Sequence, residues 1–247
     1  MRHEFDYWKH CRYHHDHCCH RLVLAEEALI HEGAVLRDYS LLDQCIMQLQ
    51  DAVTTLCADT VIPDRVSPDH DLPETQLTSS ELSVSRGLMR INHTGEVCAQ
   101  ALYRGQACAA KEENVLAFLK HAEIEENDHL IWCHDRLKAL GAQRSLFNVY
   151  WYAHSFCLGM LAGWMGDDWS LGFVAETEAQ VADHLQNHQQ RLSPKDERSH
   201  AIVAQMLVDE QEHGDKATEL GARVLPVWIK SLMRWHAHIM KAVVYYV

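Results

Sequence analysis

The segment HAEIEENDHLIWCHDRL (121–137) sets Glu123, Glu125, Glu126 and Asp128 beside His129 and an apolar run. Wound as a helix at about 100° per residue, Val115, Leu119, Ala122, Leu130, Cys133 and Leu137 form one stripe with a single gap. Glu126 fills that gap, and His129 follows one turn on along the same face. Glu123, Glu125 and Asp128 fit the stripe less well and read as solvated acids. The region 203–220 repeats the arrangement, with Glu210 and His213 between Val203, Met206, Ala217 and Leu220. Glu178 falls in register with Leu171, Val174, Val181 and Leu185, and Glu96 with Leu82, Met89, Ala99 and Tyr103.

A buried, uncompensated carboxylate costs several kcal/mol, so inward glutamates on four helices demand a counter-charge. Their positions are matched. Glu96 and Glu126 are equidistant from Lys111, and Glu178 and Glu210 from Pro194, both at expected turns. Each antiparallel hairpin therefore presents two glutamates at one level. Glu-x-x-His alone is weak evidence, because Glu197 and His200 also match it. That pair lies near a helix start, and Glu197 projects roughly opposite Glu210. The set Glu, Glu-x-x-His, Glu, Glu-x-x-His is the ligand pattern of carboxylate-bridged dimetal bundles, in which four carboxylates balance two divalent cations. Oxygen and imidazole donors without thiolate favour iron or manganese over structural zinc, and iron where oxygen is activated. We assign Glu96, Glu126 and His129 to one metal, and Glu178, Glu210 and His213 to the other, with one or two glutamates bridging. Each histidine requires an outer acceptor, and Asp209 is a candidate.

These residues need long helices, and the chain punctuates them. A first helix is expected near 41–56, from Leu41, Cys45, Leu49 and Val53. The stretch VIPDRVSPDHDLPETQL carries three of the five prolines and reads as an extended linker. Thr78-x-x-Glu81 is a capping box opening a helix to about Lys111. A second bundle helix runs from near Asn114 to a stop at Gly141, a third from Asp168 to Arg191, and a fourth from Ser193-Pro194 to Gly221. No strand alternation is present, so the fold class is all-α. The 247 residues suffice for one sizeable core. The net charge of −13 argues against a nucleic-acid partner. Nine scattered cysteines with no C-x-x-C pair and no signal peptide point to reduced thiols in the cytosol. Residues 1–40, rich in histidine and cysteine, read as a poorly ordered extension, and 41–247 as the functional domain.

The stretch 145–166 lacks Asp, Glu, Lys and Arg and is about as long as a membrane span. A true span would place the two glutamate pairs on opposite sides of a bilayer, so an interfacial or capping helix is expected instead. The end of the chain, 224–247, sets Lys230, Arg234 and Lys241 among apolar and aromatic residues, the pattern of a basic amphipathic helix on a membrane surface.

The motifs RINHTGEVCAQALYRGQ (90–106), AEIEENDHLIWCHDRL (122–137), WSLGFVAETEAQVADHL (169–185) and MLVDEQEHG (206–214) resemble the demethoxyubiquinone hydroxylase family of ubiquinone biosynthesis, in its longer bacterial form. The resemblance covers about residues 41–247. It implies a ferritin-like four-helix bundle holding two iron ions on Glu96, Glu126, His129, Glu178, Glu210 and His213, with apolar interfacial helices added. It implies an O2-dependent 3-demethoxyubiquinol 3-hydroxylase that acts on the ring of a polyprenylated benzoquinol. Reducing equivalents would come from NADH, directly or through the quinol. No Gly-rich dinucleotide fingerprint is present. His184 falls at a histidine of the family pattern, but Leu185 stands where some members have tyrosine. The implied setting is peripheral, on the cytoplasmic side of the cell membrane, as a homo-oligomer or within a ubiquinone-biosynthesis complex. Two alternatives are another ferritin-like oxidase, such as a ferroxidase or manganese catalase, and a non-catalytic helical assembly module.

Overall fold

The structure is a computed structural model that describes residues 40–57 and 62–247. It divides the chain into two units, Met1–Cys45 and Ile46–Val247. The extension expected over 1–40 lies, apart from Ser40, outside the described residues. In the first unit Ser40 and Asp43 cap each other: the Asp43 N–H donates to Ser40 Oγ at 3.2 Å, and the Ser40 N–H donates to the Asp43 carboxylate at 3.0 Å. The described residues form seven helices and no strand. They are α1 (Leu41–Leu56), α2 (Ser79–Ala107), α3 (Glu113–Ala139), α4 (Asn148–Trp164), α5 (Asp167–Arg191), α6 (Glu197–Glu219) and α7 (Val227–Val244).

Local chemistry sets the helix ends. The Thr78–Glu81 capping box is complete. α3 and α6 both end with a left-handed glycine, Gly141 (φ 65°) and Gly221 (φ 101°). In each, the next N–H reaches back to the helix: Ala142 to Leu137 O at 2.9 Å and Ala222 to Ala217 O at 3.1 Å. α6 starts later than Ser193-Pro194 suggests. Those residues instead make a turn closed by the Asp196 N–H on Ser193 O at 2.8 Å, and the Ser193 hydroxyl donates to Glu81 at 2.8 Å. Asp196 is the true cap and accepts from the Ser199 N–H at 3.1 Å.

Hairpins α2–α3 and α5–α6 form the four-helix bundle. Asp167 ties them in register by accepting the Lys111 and Glu112 N–H groups of the α2–α3 turn, the latter at 2.8 Å. The bundle interior has two apolar clusters. One contains Met89, Cys133, Leu185 and Met206, the other Tyr103, Ala122, Val174 and Ala217. On each helix, Glu96, Glu126, Glu178 or Glu210 lies between a residue of one cluster and a residue of the other. The charged layer is thus sealed by hydrocarbon at both ends.

α4 packs backbone to backbone on α2, not as a detached lid. A Cβ on Gly105 would fall 2.2 Å from Phe156 O, and one on Gly159 would fall 2.2 Å from Leu102 O. Its outer side keeps Val149, Tyr150, Leu161 and Trp164 exposed. No helix among the described residues is long and apolar enough to cross a membrane. α1 forms where expected but turns the expected stripe outward, with Leu49 67% and Val53 54% exposed. A buried cation decides its orientation. Arg104 donates to Asp51 O at 2.9 Å and to the Thr55 hydroxyl at 2.6 Å, so α1 faces inward through Thr55, Ala52 and Leu56.

Candidate metal centre

All six residues picked by spacing are buried and converge between the apolar clusters. Donor atoms of Glu96, Glu126, His129 and Glu210 lie within 4.8 Å of one another. The two histidines approach from opposite sides. His129 Nδ1 is 3.2 Å from Glu126 Oε2, 3.5 Å from Glu210 Oε1 and 3.8 Å from Glu96 Oε2. His213 Nδ1 is 3.3 Å from Glu126 Oε1 and 3.5 Å from Glu210 Oε2. Glu126 and Glu210 therefore each offer one oxygen to each histidine. Glu96 stands on the His129 side. Glu178 accepts a short hydrogen bond from the Tyr103 hydroxyl, and the Tyr103 ring lies edge-on to His213 at 6.4 Å.

Both imidazoles turn Nδ1 inward and anchor Nε2 outward. His129 Nε2 donates to Asp209 Oδ2 and His213 Nε2 to Glu125 Oε2, each at 2.8 Å. With Nε2 on an outer acid, each Nδ1 faces the inner carboxylates, the arrangement of a metal-ligating histidine with an outer acid. The sequence reading named Asp209 but left Glu125 in water. It also left Asp128 and Glu123 there, whereas Asp128 is buried against Arg65 and Glu123 pairs with Arg104 at 2.7 Å. Tyr103 was legible only as an apolar position, and Arg65 carried no signal. The decoy pair stays apart, with Glu197 exposed and the His200 ring bonded to Gln189.

The electrostatics follow from crowding four acids in a dry layer. Burial, then the charge of Glu126, pushes the Glu96 carboxyl well above the usual range. Burial, then Glu210, does the same to Glu178. Burial also opposes ionisation of Glu126, but the adjacent His129 and His213 imidazoles outweigh it and hold that carboxyl well below the usual range. Both imidazoles are pushed upward by their acids against burial, His129 by Asp209 first and His213 by Glu125 first.

The layer also fits a cation by its unmet valences. Glu126 Oε1, Glu178 Oε2, Glu210 Oε2 and His213 Nδ1 are buried with no hydrogen-bond partner. Such orphans are rare and costly unless something else is bound to them. Oxygen and imidazole donors suit a hard or borderline divalent ion.

An apolar cavity of about 360 Å³ lies beside the bundle. α2, α4, α5 and α7 line it through Gly95, Leu102, Leu158, Phe173, Val181 and Met233, among others. It meets the bundle at Gly95 and Thr177, chain neighbours of Glu96 and Glu178. His184 lines it too; burial first, then Lys241, pushes its imidazole down to about 4. Leu185 is fully buried in the apolar cluster.

A family model described as Ubiquinone biosynthesis protein COQ7 matches residues 83–243. The 3-demethoxyubiquinol 3-hydroxylase of Psychrobacter arcticus is 45% identical over 216 residues, covering 85% of this chain and 99% of that one. The protein of the same name from Xanthomonas euvesicatoria is 54% identical over 159 residues, 64% of this chain and 73% of its own. That of Xylella fastidiosa is 52% identical over 159 residues, with the same shares.

Proposed function

The chain belongs to the ubiquinone biosynthesis protein COQ7 family, and from that premise we propose that it is a 3-demethoxyubiquinol 3-hydroxylase of ubiquinone biosynthesis. The observation that carries the reading is the buried layer of four glutamates and two outward-anchored histidines, with an apolar cavity lined by chain neighbours of Glu96 and Glu178. Glu126 and Glu210, placed between the two imidazoles, would each reach both metal positions. Glu96 and His129 complete one metal position, Glu178 and His213 the other. Two iron ions held there would supply the redox chemistry for inserting one oxygen atom of dioxygen into the quinol ring.

The chain's own residues do the rest. The apolar clusters above and below exclude water from the charged layer, which strengthens every electrostatic contact within it. Asp209 and Glu125 keep the imidazole Nε2 protons in place, so Nδ1 remains a donor to metal. Gly95 leaves open space beside Glu96, since a Cβ there meets nothing within 4 Å. A flat quinol ring can lie against the layer at that point, with its polyprenyl tail along the cavity.

The tail must come from a membrane. α7 lines the cavity with Leu232, Met233, Trp235 and Met240, and leaves Trp228 (69%) and Trp235 (62%) exposed. Lys230 and Arg234 lie on the same helix and pair with the buried Glu176, at 2.6 and 3.6 Å, which pins α7 to α5. Aromatic and basic side chains on one amphipathic helix suit a bilayer surface. The reading is of a peripheral enzyme on the cytoplasmic side of the cell membrane, reduced from NADH directly or through the quinol.

Deleting the gene and identifying the accumulated quinone tests the assignment. A demethoxy intermediate is expected, cleared by the native gene and not by Gly95→Leu, which puts a side chain into the cavity wall. Unchanged mature ubiquinone in the deletion strain sinks the reading.

A further inference from the structure

The proline-rich segment reads in sequence as a linker, but its described part, residues 62–78, is a strap across the seam of α3 and α6. Three of its charged side chains, Arg65, Asp69 and Glu74, meet opposite charges on those helices. Asp69 bonds Arg198 of α6 at 2.7 Å. Glu74 bonds Arg136 of α3 at 2.7 Å and Arg198 at 3.0 Å. Pro63, Pro68 and Pro73 restrict the unfolded segment and lower the entropy lost in laying it down.

Arg65 is the strap's contact with the charged layer. The Asp64 N–H donates to Asp128 Oδ1 at 2.7 Å, and Arg65 Nε to Asp128 Oδ2 at 2.9 Å. Another guanidinium nitrogen lies 2.9 Å from Asp209 Oδ2, the same oxygen that accepts from His129 Nε2. A third lies 3.4 Å from His129 Nε2 itself. The guanidinium is stacked 4.9 Å over the Trp132 ring, and the Trp132 indole N–H donates to Arg65 O at 3.4 Å. The arginine is thus fixed on four sides. His213 has no such direct contact: its outer acid Glu125 meets the exposed His121 at 3.3 Å and feels the Arg65 charge only at longer range.

We propose that Arg65 is a positioning residue for the metal centre, which holds Asp209 on His129 and thereby sets the Glu96/His129 metal position apart from the Glu178/His213 position. The proposal rests on the metal-ligand reading above. Without the guanidinium, Asp128 and Asp209 are two neighbouring carboxylates with no shared cation, and Asp209 is drawn to solvent. His129 then loses the partner that orients its ring. Outer partners of metal-bound histidines commonly govern affinity by about 10–100-fold.

The test is cobalt(II) titration of the metal-free full chain, followed by the visible absorbance of bound cobalt and by competition with a chelator. The native protein is expected to bind about two ions per chain. Arg65→Met is expected to weaken one of them about 10–100-fold and to leave the other and the helix content unchanged. Arg65→Lys restores part of the loss, because it keeps the charge without the forked geometry. Two cobalt ions held by Arg65→Met as tightly as by the native chain overturn the proposal. So does equal weakening of both ions, which indicates a general loosening. Should Arg65→Met fail to fold, Asp209→Asn carries the test. It keeps an acceptor for His129 but loses the arginine, and selective weakening at one position is again expected. A native chain that takes up no cobalt overturns the metal-ligand reading itself, a result distinct from two ions bound and no effect of Arg65.

Discussion

Arg136→Met isolates what holds the start of α6, and hence the level of Glu210 and His213, in place. Arg136 is 2% exposed and threads between α3 and α6. It bonds Asp196 at 2.6 Å, Ser199 Oγ at 2.9 Å and Glu74 at 2.7 Å. Asp196 is itself 2% exposed and caps α6. Methionine fills most of the arginine's volume but leaves the Asp196 carboxylate buried without a cation. Stranding one partner of a buried pair costs about 3–5 kcal/mol. For a chain of this size that lowers Tm by about 6–20 °C. The matched control is Lys216→Met, whose exposed pair with Glu219 at 3.1 Å contributes about 1 kcal/mol or less. Adding Asp196→Asn to Arg136→Met should recover most of the loss, because Asn still caps the Ser199 N–H and carries no charge. Denaturant unfolding followed by helix circular dichroism measures all four proteins. A loss below about 1 kcal/mol for Arg136→Met, or no recovery in the double variant, refutes the stranded-charge argument.

Three further outcomes are expected. Glu126→Gln and Glu210→Gln should each purify with fewer than the native two or so irons per chain, and Glu197→Gln with the native content, by colorimetric iron assay; equal iron in all three rejects the ligand set. Gly105→Ala and Gly159→Ala should each cost about 1–3 kcal/mol by forcing α4 off α2, whereas Gly95→Ala, a helix-interior site with free space, should gain about 0.5–1 kcal/mol in the same unfolding assay. The third concerns pH. The Thr78 N–H and hydroxyl, then Ser193, hold the Glu81 carboxyl down to about 2, against an ordinary 4.5. On acidification the unfolded chain takes up this proton first, so the contribution is complete above pH 4.5 and fades toward pH 2. Glu81→Gln should therefore melt lower than native at neutral pH, with a deficit that shrinks in acid. A deficit constant across the pH series tells against the capping box as its source.

What the sequence by itself determined is periodic or local. Helix ends follow from caps such as Thr78–Glu81 and Gly141, whose chemistry involves neighbours in the chain. The inward glutamates follow from a period that must return every core residue to one face, and their common level follows from counting to the turn. The decoy Glu197 could be rejected on the same grounds. Tertiary structure alone decided the rest, because it depends on partners distant in the chain. Leu49 and Val53 of α1 look like a buried stripe, but the buried Arg104 needed Asp51 and Thr55 and turned the helix the other way. Glu125 and Asp128 look like surface acids until His213 and Arg65 are placed against them. Glu126 and Glu210 share both histidines because two hairpins pack face to face, a relation that no spacing within either hairpin contains. The strap is the extreme case: its charges find partners on α3 and α6 that no local pattern joins to it, so only the folded chain shows an arginine standing behind His129.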